Sequence, residues 1–550
     1  MAGFYICNNE KIFNRVLDNS KTEYPKRKII RHVGGWQIAI FQKINLKNHQ
    51  NIYYNGNDFI AGTGIYFYKK LFGFGALSQI LSDFKMDKNI FQNVRGHFNF
   101  VIFFDGKLYL VTDKTGHYFS LKATDETITS YSTSFMLLCD SLQKLIPQKQ
   151  ELLEYLNVAA TFGGKTIFKN INHLKNGFVY SLSEKETSNQ YFTKEIKFTS
   201  LDDFFENIED YFNIFKKTKL RIGCDLSGGF DTRTVASILL HQNIDFTFLS
   251  NNRSQKISSD LKVAKKIASK TGKELLIIKL ENSSRKDFTD RQSIKMVEIA
   301  RGLDIAKRVC NEIINKSEIA DVIVGGWGAE ILRNQHGRFP NISEVAKGYG
   351  YNRISLKTHK SVDYINNLKE KFEEDISTYK FGNETSVGEL IFYLERGKYW
   401  AGSMLTARNK YAYWLFPFFD ASITYKMLAL KNKRNSLQKR VIEHFYPQLS
   451  KIQFGNVDTE SLMITFIKKM IKNVISPSRL SKIKRVLKDK PKADYHEECL
   501  VKKNAILSDI LNFDSSDLKK NGEIRSIAKW NTLNILFDNF QGVIQKKVEI

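Results

Sequence analysis

Residues 220–236 read LRIGCDLSGGFDTRTVA and set the architecture of the larger part of the chain. Residues 220–226 form an apolar run that is typical of a buried strand, and the residues from the turn to Leu240 are typical of a helix. The turn between them, residues 227–232, reads SGGFDT. Glycines let backbone N–H groups approach a ligand, and a helix amino terminus carries partial positive charge. The stretch therefore predicts an anion-binding turn between a strand and a helix.

The side chains of this turn suit phosphate. Ser227 and Thr232 would add hydroxyl donors, whereas the Asp231 carboxylate would repel phosphate and is expected to hold a Mg²⁺ ion that bridges to it. The turn resembles the pyrophosphate loop (SGGxDS) of the N-type ATP pyrophosphatases, with Thr232 in place of serine, and it lacks the GxxxxGK[ST] pattern of a Walker loop. The resemblance implies ATP and Mg²⁺ as ligands.

Strands and helices are predicted to alternate after the turn. Strands are expected at residues 245–249, 275–280 and 320–324, and a helix is expected to begin at Asp260. This order is typical of a doubly wound parallel sheet, here of the adenine nucleotide alpha hydrolase type, which binds ligands at the carboxyl ends of its strands. The ATP-binding residues that follow from the turn, from the adenine position after the second strand and from the loop after residue 324 are Leu226, Ser227, Gly228, Gly229, Asp231, Thr232, Ser250 and Gly326.

A second acidic loop follows the strand at residues 320–324. Residues 326–331 read GWGAEI and resemble the GYGSDI-like loop of β-lactam synthetases and, less closely, the GEGSDE-like loop of asparagine synthetases. The resemblance implies that Glu330 is the second carboxylate ligand of Mg²⁺, beside Asp231. Trp327 stands where the relatives have an acid–base tyrosine or a glutamate, and indole is not a base. We expect Trp327 to shape a substrate pocket.

The first 195 residues are expected to be rich in strands. Residues 97–104 and 108–112 alternate in hydrophobicity around Asp105-Gly106, which predicts a hairpin. A further strand is predicted at residues 127–132, a helix near residues 150–160, and a strand pair around residues 175–177.

The order of short motifs in this part resembles the N-terminal domain of asparagine synthetases, a class II glutamine amidotransferase. The motifs are Gly96-x-Phe98, the hairpin, Asp113-x-x-Gly116 and YSTS at residues 131–134. The resemblance implies an α+β N-terminal-nucleophile-like sandwich. In active glutaminases of this class a cysteine follows the initiator methionine and attacks glutamine. Alanine occupies position 2 of this sequence, which predicts a sandwich without glutaminase activity.

Two further candidate residues lie in the second half of the chain. Residues 390–421 are predicted to form long helices that lead to PFFD at residues 417–420, a stretch that resembles one in the same family. Glu395 is a candidate acid–base partner for the amine, with a structural ion pair to Arg396 as the alternative. Residues 451–454 resemble the K-x-Q-F stretch of asparagine synthetases, which implies that Lys451 stabilises negative charge during catalysis. An amphipathic helix is predicted at residues 527–540.

Length and composition limit the remaining possibilities. A chain of 550 residues predicts at least two domains, here 1–195 and 196–550. The net charge of +26 would suit a nucleic acid, but the lysines are spread along the chain, so no nucleic-acid partner is expected, and residues 468–503 are the densest basic stretch. No apolar run of membrane-spanning length and no signal peptide occur, and the five cysteines are scattered. A cytoplasmic protein with reduced thiols and no membrane partner is expected.

The resemblances together imply an ATP-dependent, AMP-forming carbon–nitrogen ligase of the asparagine synthetase type. Such an enzyme activates a small-molecule or peptide carboxylate as an acyl-adenylate and couples it to ammonia or another amine. Asparagine biosynthesis is one option, and the intramolecular amide formation of β-lactam synthetases and lasso-peptide cyclases is another. Two other classes stay open: a PP-loop tRNA-modifying enzyme and a non-catalytic nucleotide-binding relative. The oligomeric state is also open, with a homodimer as one option.

Overall fold

The computed structural model describes most of the chain. The described residues are 3–21, 23–47, 49–182, 186–197, 199–252, 258–279, 312–333, 336–337, 339–350, 362–382, 385–430, 436–452, 504–511, 529–530, 533–534, 536–538 and 540–544.

Twenty strands are named within these ranges. They are β1 (Phe4–Cys7), β2 (Arg27–Val33), β3 (Trp36–Phe41), β4 (Ile52–Asn55), β5 (Asp58–Tyr68), β6 (Leu71–Phe72), β7 (Arg95–Phe104), β8 (Lys107–Thr112), β9 (Leu121–Thr124), β10 (Thr129–Ser132), β11 (Ile171–His173), β12 (Phe178–Leu182), β13 (Thr187–Gln190), β14 (Glu195–Ile196), β15 (Ile222–Asp225), β16 (Thr247–Asn252), β17 (Leu275–Lys279), β18 (Val322–Val324), β19 (Lys380–Phe381) and β20 (Tyr413–Leu415).

Helices occupy much of the rest of the described chain. They are α1 (Glu10–Asn19), α2 (Phe74–Met86), α3 (Phe135–Ser141), α4 (Lys149–Val158), α5 (Leu201–Phe212), α6 (Phe230–His241), α7 (Ser259–Thr271), α8 (Ile342–Gly350), α9 (Val362–Ser377), α10 (Val387–Ile391), α11 (Gly402–Arg408), α12 (Ala421–Ala429), α13 (Ser436–Phe445), α14 (Pro447–Ser450) and α15 (Ala505–Leu511), with a π-helix at Phe392–Ala401 and 3₁₀ turns at Ile90–Asn93, Asn213–Lys217, Ala329–Arg333 and Pro417–Phe419.

Two antiparallel sheets form the first part of the chain. One has the strand order β11-β9-β10-β1-β3-β2, and the other has the order β13-β12-β8-β7-β5-β4, with β6 paired to β5. The predicted hairpin is confirmed, because β7 and β8 pair antiparallel around Asp105 and Gly106, which both have positive φ.

The predicted strand pair around residues 175–177 is wrong in its pairing. β11 and β12 do flank these residues, but β11 pairs with β9 and β12 pairs with β8 and β13, so the two strands lie in different sheets. Gly177 has φ +76° and its N–H donates to the Asp113 carbonyl over 2.7 Å. The predicted turn is confirmed, but it carries the chain from one sheet to the other.

The two sheets pack face to face, and helices cover their outer faces. The core between the sheets includes Phe4, Trp36, Val101, Leu110 and Tyr131. Helix α2 packs on the outer face of the second sheet, while α1, α3 and α4 pack on that of the first. The result is an α+β sandwich of four layers. It agrees with the α+β sandwich expected for the first 195 residues, for which the number of layers was not predicted.

The carboxy-terminal part of the chain returns to this sandwich. Trp530, Leu533 and Phe537 are buried in the same core as the outer face of the first sheet, and the Leu145 N–H donates to the Val543 carbonyl over 2.8 Å. In the predicted helix at 527–540, residues 529–530, 533–534 and 536–538 are helical, and Ile527 lies outside the part of the chain that the structure describes.

A five-stranded parallel sheet forms the second part. Its order is β17-β16-β15-β18-β20, and each neighbouring pair is parallel. The strands predicted near residues 220, 245, 275 and 320 all belong to it. Residues 390–421 were predicted as helices alone, and this is wrong for Tyr413–Leu415, which forms the edge strand β20. The Asn409 side chain bonds both the N–H and the carbonyl of Trp414, which turns the chain from α11 into this strand.

The sandwich and the parallel sheet pack against each other. The Lys43 ammonium donates to the Asn409 carbonyl over 2.8 Å, and the Phe119 N–H donates to the Thr406 hydroxyl over 2.9 Å. Cys7, Cys139 and Cys224 are buried, as expected, whereas Cys310 and Cys499 lie outside the described residues. None of the helices in the described ranges combines the length and the apolarity that crossing a membrane requires.

Candidate functional site

The glycine-rich turn lies between β15 and α6, and its hydroxyl groups hold it in shape. The Ser227 N–H donates to the Thr232 hydroxyl over 3.0 Å, and the Gly229 N–H donates to the Ser227 hydroxyl over 3.2 Å. The two hydroxyl oxygens are 3.1 Å apart. Side-chain hydroxyl oxygens thus accept hydrogen bonds from backbone N–H groups at the amino terminus of a twelve-residue helix. Phosphate oxygens would be favoured at the same place.

Two neighbours fix the backbone of this turn. A Cβ atom on Gly228 would lie 2.5 Å from the Asp260 carboxylate, so only glycine fits against the first turn of α7. Arg233 is fully buried, and its guanidinium donates to the Gly228 carbonyl over 3.3 Å and to the Leu449 and Ile452 carbonyls over 3.2 and 2.7 Å. Arg233 therefore ties the turn to the segment that carries Lys451.

Lys451 itself is exposed at the end of α14, and no hydrogen bond or ion pair of its side chain is seen within the described residues. The rest of the K-x-Q-F stretch, from residue 453 onward, lies outside them. The structure brings the backbone around Lys451 to the turn through Arg233, and the role of its ammonium group stays a prediction.

The second acidic loop begins directly after β18 and lies against the turn. A Cβ atom on Gly326 would lie 2.4 Å from the Asp231 carbonyl carbon and 2.5 Å from the Thr232 nitrogen. Backbone therefore packs on backbone at this point. Gly328 has φ +91° and a Cβ atom there would lie 2.8 Å from the Phe418 carbonyl oxygen, so the loop requires glycine at both positions.

The two predicted metal ligands are electrostatic neighbours. Burial, and then the charge of Asp231, raise the pKa of Glu330 to about 7. Burial likewise raises the pKa of Asp231, against the opposing effect of Arg333. One Glu330 oxygen accepts the Gly328 N–H over 2.8 Å, which also orients its carboxylate. The pair is costly to ionise fully, and a cation between the two groups would relieve that cost.

Arg333 and Gln438 hold Asp231 in place. The Arg333 guanidinium donates to one Asp231 oxygen over 3.1 Å, and the Gln438 amide donates to the other over 2.9 Å. Gln438 also reaches the Ala329 carbonyl over 3.4 Å, which links the two loops a second time. Within the described ranges, no three His, Cys, Asp or Glu side chains converge as a metal site would need. Two carboxylates fit Mg²⁺, which is commonly held by one or two carboxylates together with substrate phosphates.

The remaining predicted nucleotide contacts lie on neighbouring strand ends. The Leu226 N–H donates to the Leu249 carbonyl over 2.8 Å, so the position before Ser250 is hydrogen-bonded to the start of the turn. Ser250 is buried in β16 and would present backbone to a ligand. The structure thus gathers the predicted ATP-binding residues at the carboxyl edge of β15, β16 and β18.

Glu395 lies elsewhere. It is buried in the π-helix, where one carboxylate oxygen accepts the Gly163 N–H over 3.0 Å. Burial and neighbouring Asp375 raise its pKa well above the usual range. Arg396 donates to the Val158 carbonyl, on the sandwich. The described contacts join Glu395 to the sandwich and to α9, and none of them joins it to the two loops.

Aromatic side chains line the other side of the second loop. The Trp327 ring stacks on Phe416 with a centroid distance of 4.8 Å and on Trp400 with one of 5.5 Å. Trp327 and Trp400 are both partly exposed. The ring contacts of Trp327 are thus established, and its role in a substrate pocket stays a prediction.

Several residues of the site were not predicted from the sequence. Arg333 and Gln438 occur in segments without a motif, and only the folded chain brings them to Asp231. Arg233 had a usable signal, because an arginine inside an apolar helix must find buried acceptors. The sequence motifs therefore predicted the two loops but not the side chains that hold these loops in place.

Comparisons with known proteins add little to this geometry. No protein-family model and no curated protein sequence matches the chain. One solved structure, described as the allosteric regulatory enzyme of purine biosynthesis, aligns with a TM-score of 0.23 and 7% identity over 50% of this chain and 80% of that chain. Glutamine phosphoribosylpyrophosphate amidotransferase from B. subtilis, complexed with ADP and GMP, aligns with a TM-score of 0.23 and 9% identity over 60% and 77%. TM-scores this low support no inference about the chain, and its function is inferred from its own residues.

Proposed function

We propose that the chain is an ATP-dependent ligase of the asparagine synthetase type, which adenylates a carboxylate and joins it to an amine. The observation that carries this proposal is the junction of the two loops. Gly326 lies directly on the backbone of Asp231 and Thr232, and the pKa of Glu330 responds to the charge of Asp231. A hydroxyl-lined helix amino terminus and two neighbouring carboxylates at strand ends suit a Mg²⁺–triphosphate ligand.

Each loop residue then has a role. The backbone of residues 227–229 and the hydroxyls of Ser227 and Thr232 bind the β- and γ-phosphates. Asp231 and Glu330 hold Mg²⁺, which supplies positive charge against the phosphates when it is bound. Leu226 and Ser250 border the adenine, beside the ends of β15 and β16.

The proposed reaction has two steps. An oxygen of the substrate carboxylate attacks the α-phosphorus of ATP, and the bond from that phosphorus to the β-phosphate oxygen breaks. Pyrophosphate leaves on the side of the glycine-rich turn. The amine nitrogen next attacks the acyl carbon of the adenylate, loses a proton, and displaces AMP, which leaves an amide.

Two cationic groups are available for the charge that develops. Arg333 already lies 3.1 Å from Asp231, and its guanidinium is close to where the leaving pyrophosphate would be held. Lys451 follows the segment that Arg233 fixes to the turn. Preorganised positive charge of this kind is usually a large part of catalysis. We assign both residues to phosphate stabilisation, and we give Glu395 no part in it.

The amine comes from outside the sandwich. Position 2 carries alanine, and the first two residues lie outside the described part of the chain. Alanine offers no thiol at that position, so we infer that the sandwich does not release ammonia from glutamine. Ammonia or a substrate amine is therefore the acceptor.

Pyrophosphate release tests the proposal. The wild type, Asp231→Ala and the control Asp245→Ala are incubated with MgATP and a panel of amino acids, diacids and peptides, each with ammonium or with glutamine. Asp245 is a fully exposed aspartate, so its loss should change nothing. We expect release that requires one carboxylate, equimolar AMP, and a loss of about 100-fold or more in Asp231→Ala.

The acceptor is read from the same incubations. Amide product with ammonium and none with glutamine agrees with the absence of a nucleophile. Bound ATP without pyrophosphate release for any acid, or release that is unchanged in Asp231→Ala, would reject the ligase assignment.

A further inference from the structure

A large cavity lies at the edge of the parallel sheet opposite the candidate site. Its volume is about 1210 Å³, and its lining includes Arg221, Asp321 and Tyr413, which stand at or just before the amino ends of β15, β18 and β20. The glycine-rich turn follows the carboxyl end of β15, and this strand of four residues spans about 13 Å. None of the residues assigned above to ATP or Mg²⁺ lines the cavity, so it is a separate space.

Both parts of the chain supply the walls of this cavity. The sandwich contributes residues from the segment after β3 and from the stretch between β5 and the start of α2, and the second part contributes residues that precede β15 and β18. Small-molecule sites are frequent where two domains meet, and they usually measure about 300–1,000 Å³. The cavity is therefore large enough for a ligand that is built from several groups.

Four lysines without counter-ions line the cavity. Lys47 and Lys70 come from the sandwich, and Lys217 and Lys219 come from the second part. All four side chains are exposed, and no ion pair or hydrogen bond of their ammonium groups is seen within the described ranges. Charges of one sign around a concave space reinforce each other and attract ligands of the opposite sign.

The other titratable groups of the lining do not neutralise these lysines. The Arg221 guanidinium already donates to the two Asp321 oxygens over 2.8 and 3.2 Å, so this pair cancels in charge. Glu318 is the other acid of the lining. Burial lowers the pKa of His49 to about 3, which keeps its ring neutral. One carboxylate thus stands against four ammonium groups, and the cavity suits an anion.

The turn that carries Lys70 has a costly backbone conformation. Tyr68 pairs with Leu71 across β5 and β6, so Lys69 and Lys70 form a two-residue hairpin turn. Their φ angles are +46° and +64°, a region that favours asparagine and glycine over lysine. Backbone strain of this kind clusters at functional sites. The Lys69 ammonium pairs with Asp83 over 2.8 Å, whereas Lys70 lines the cavity.

Apolar side chains lie beside the lysines. Leu71 and Phe74 line the cavity and are 40% and 39% exposed. The Phe72 ring meets the Tyr413 ring edge-on at a centroid distance of 4.9 Å, so the aromatic surface continues from the sandwich to the second part. Helix α2 begins at Phe74 with no acid in its first turn, and its partial positive charge adds to that of the lysines. The lining thus combines positive charge with exposed apolar surface.

We propose that this cavity binds a nucleotide, with its phosphates on the four lysines and its base on Phe74 and Leu71. Four ammonium groups exceed what one phosphate group needs, which favours a diphosphate or a triphosphate. The exposed ring of Phe74 suits a planar base, because bases stack on aromatic side chains. The ligand would touch both parts of the chain, and its binding would stabilise their packing. The assignment is independent of the proposed ligase function, because it uses other residues at the other edge of the sheet.

Isothermal titration calorimetry of the full chain with UDP and GDP tests the assignment. Adenine nucleotides are left out because they would also enter the proposed ATP site. Inorganic pyrophosphate offers the charge without a base, and uridine and guanosine offer the base without phosphates. A short single-stranded RNA is titrated as the alternative ligand. The wild type is compared with the double variant Lys217→Gln/Lys219→Gln, with Phe74→Ala and with Asp231→Ala.

Two matched controls accompany these variants. Lys265→Gln/Lys266→Gln replaces two neighbouring exposed lysines of α7, and Tyr54→Ala replaces an exposed aromatic residue of β4. None of these three residues lines the cavity. Because the replaced lysines and aromatic residues are all exposed, these variants should fold, and circular dichroism checks that they do.

UDP or GDP should bind the wild type, both controls and Asp231→Ala equally, and more tightly than pyrophosphate or either nucleoside. Lys217→Gln/Lys219→Gln should weaken nucleotide binding by about 10-fold or more, because two charged contacts with phosphate are lost. Phe74→Ala should weaken it by about 5-fold or more and leave pyrophosphate binding unchanged, because only the stacking of the base is lost.

Three results would overturn the proposal. The first is no saturable binding of either nucleotide, or binding that Asp231→Ala abolishes and the double lysine variant keeps. The second is pyrophosphate that binds as tightly as the nucleotides, with no effect of Phe74→Ala, which would make the cavity a site for simple anions. The third is RNA that binds more tightly than both nucleotides and loses affinity in the double lysine variant, which would assign the cavity to a nucleic acid.

Discussion

Gly326→Ala should separate the two loops of the site. The added Cβ atom would lie 2.4 Å from the Asp231 carbonyl carbon, 2.5 Å from its oxygen and 2.5 Å from the Thr232 nitrogen. All three are backbone atoms, which cannot rotate away as the end of a flexible side chain can. Ordinary contacts begin near 3.4 Å, so the loops must move apart by about 1 Å.

The displacement should affect both stability and chemistry. Overpacking a buried contact costs about 1–3 kcal/mol of unfolding free energy, and the upper half of that range is expected here because three atoms are overlapped. Asp231 and Glu330 would move relative to each other by the same distance. A misplacement of about 1 Å can lower a reaction rate by roughly 100-fold. Pyrophosphate release should therefore fall much more than the folded fraction does.

Urea unfolding and the pyrophosphate assay are run together on Gly326→Ala and on Gly75→Ala. Gly75 lies in α2, and a Cβ atom there would have no neighbour within 4 Å. The control should keep full activity and keep or raise its stability by up to about 1 kcal/mol. Unfolding free energy and pyrophosphate release that both match the wild type in Gly326→Ala would refute the tight contact between the loops.

Three further predictions concern charge and packing. Burial raises the pKa of Glu330 to about 7 from a usual 4.5. Between pH 4.5 and pH 7 the folded state therefore holds a proton that the unfolded state releases. The free energy of unfolding should fall by about 2–3 kcal/mol as the pH rises through that window. Glu330→Gln should flatten this slope in urea titrations at pH 5 and pH 8. Lys316→Met removes the ammonium that pairs with buried Glu312 and partly buried Asp225, and it should lower the free energy of unfolding by about 3–5 kcal/mol. Lys347→Met, in an exposed pair, should lower it by at most about 1 kcal/mol. Trp530→Ala removes a fully buried ring from the core on the outer face of the first sheet. It should lower the free energy of unfolding by about 3–5 kcal/mol, measured by thermal or urea unfolding. A change below about 1 kcal/mol would contradict the packing of the carboxy-terminal segment on the sandwich.

Local signals explain what the sequence predicted well. The strand, glycine-rich turn and helix at residues 220–240 are specified by residue types that lie next to each other, and the hairpin around Asp105 is specified in the same way. Gly272 ends α7 in a left-handed conformation, as a glycine at that position should. Such features need no information from distant parts of the chain.

Contacts between residues that are far apart along the chain could not be predicted from the sequence. Arg333 and Gln438 both bond Asp231, yet 102 and 207 positions separate them from it. The edge strand β20 was missed because Tyr413–Leu415 is too short for its alternation to stand out from a helical pattern. β11 and β12 were paired wrongly because a turn signal fixes the turn and not the partner of each strand. In every case the deciding energy comes from tertiary packing.

The sandwich supports the candidate site physically. Asp420 caps α12, and its carboxylate also accepts the Gly96 N–H from β7. His97, next in that strand, bonds the Phe416 carbonyl over 3.0 Å. Phe416 in turn stacks on Trp327 at the edge of the site. β7 thus holds both ends of the segment that follows β20. Removal of the sandwich would release this segment together with the Phe416 ring that stacks on Trp327, so the sandwich contributes to the candidate site through this support.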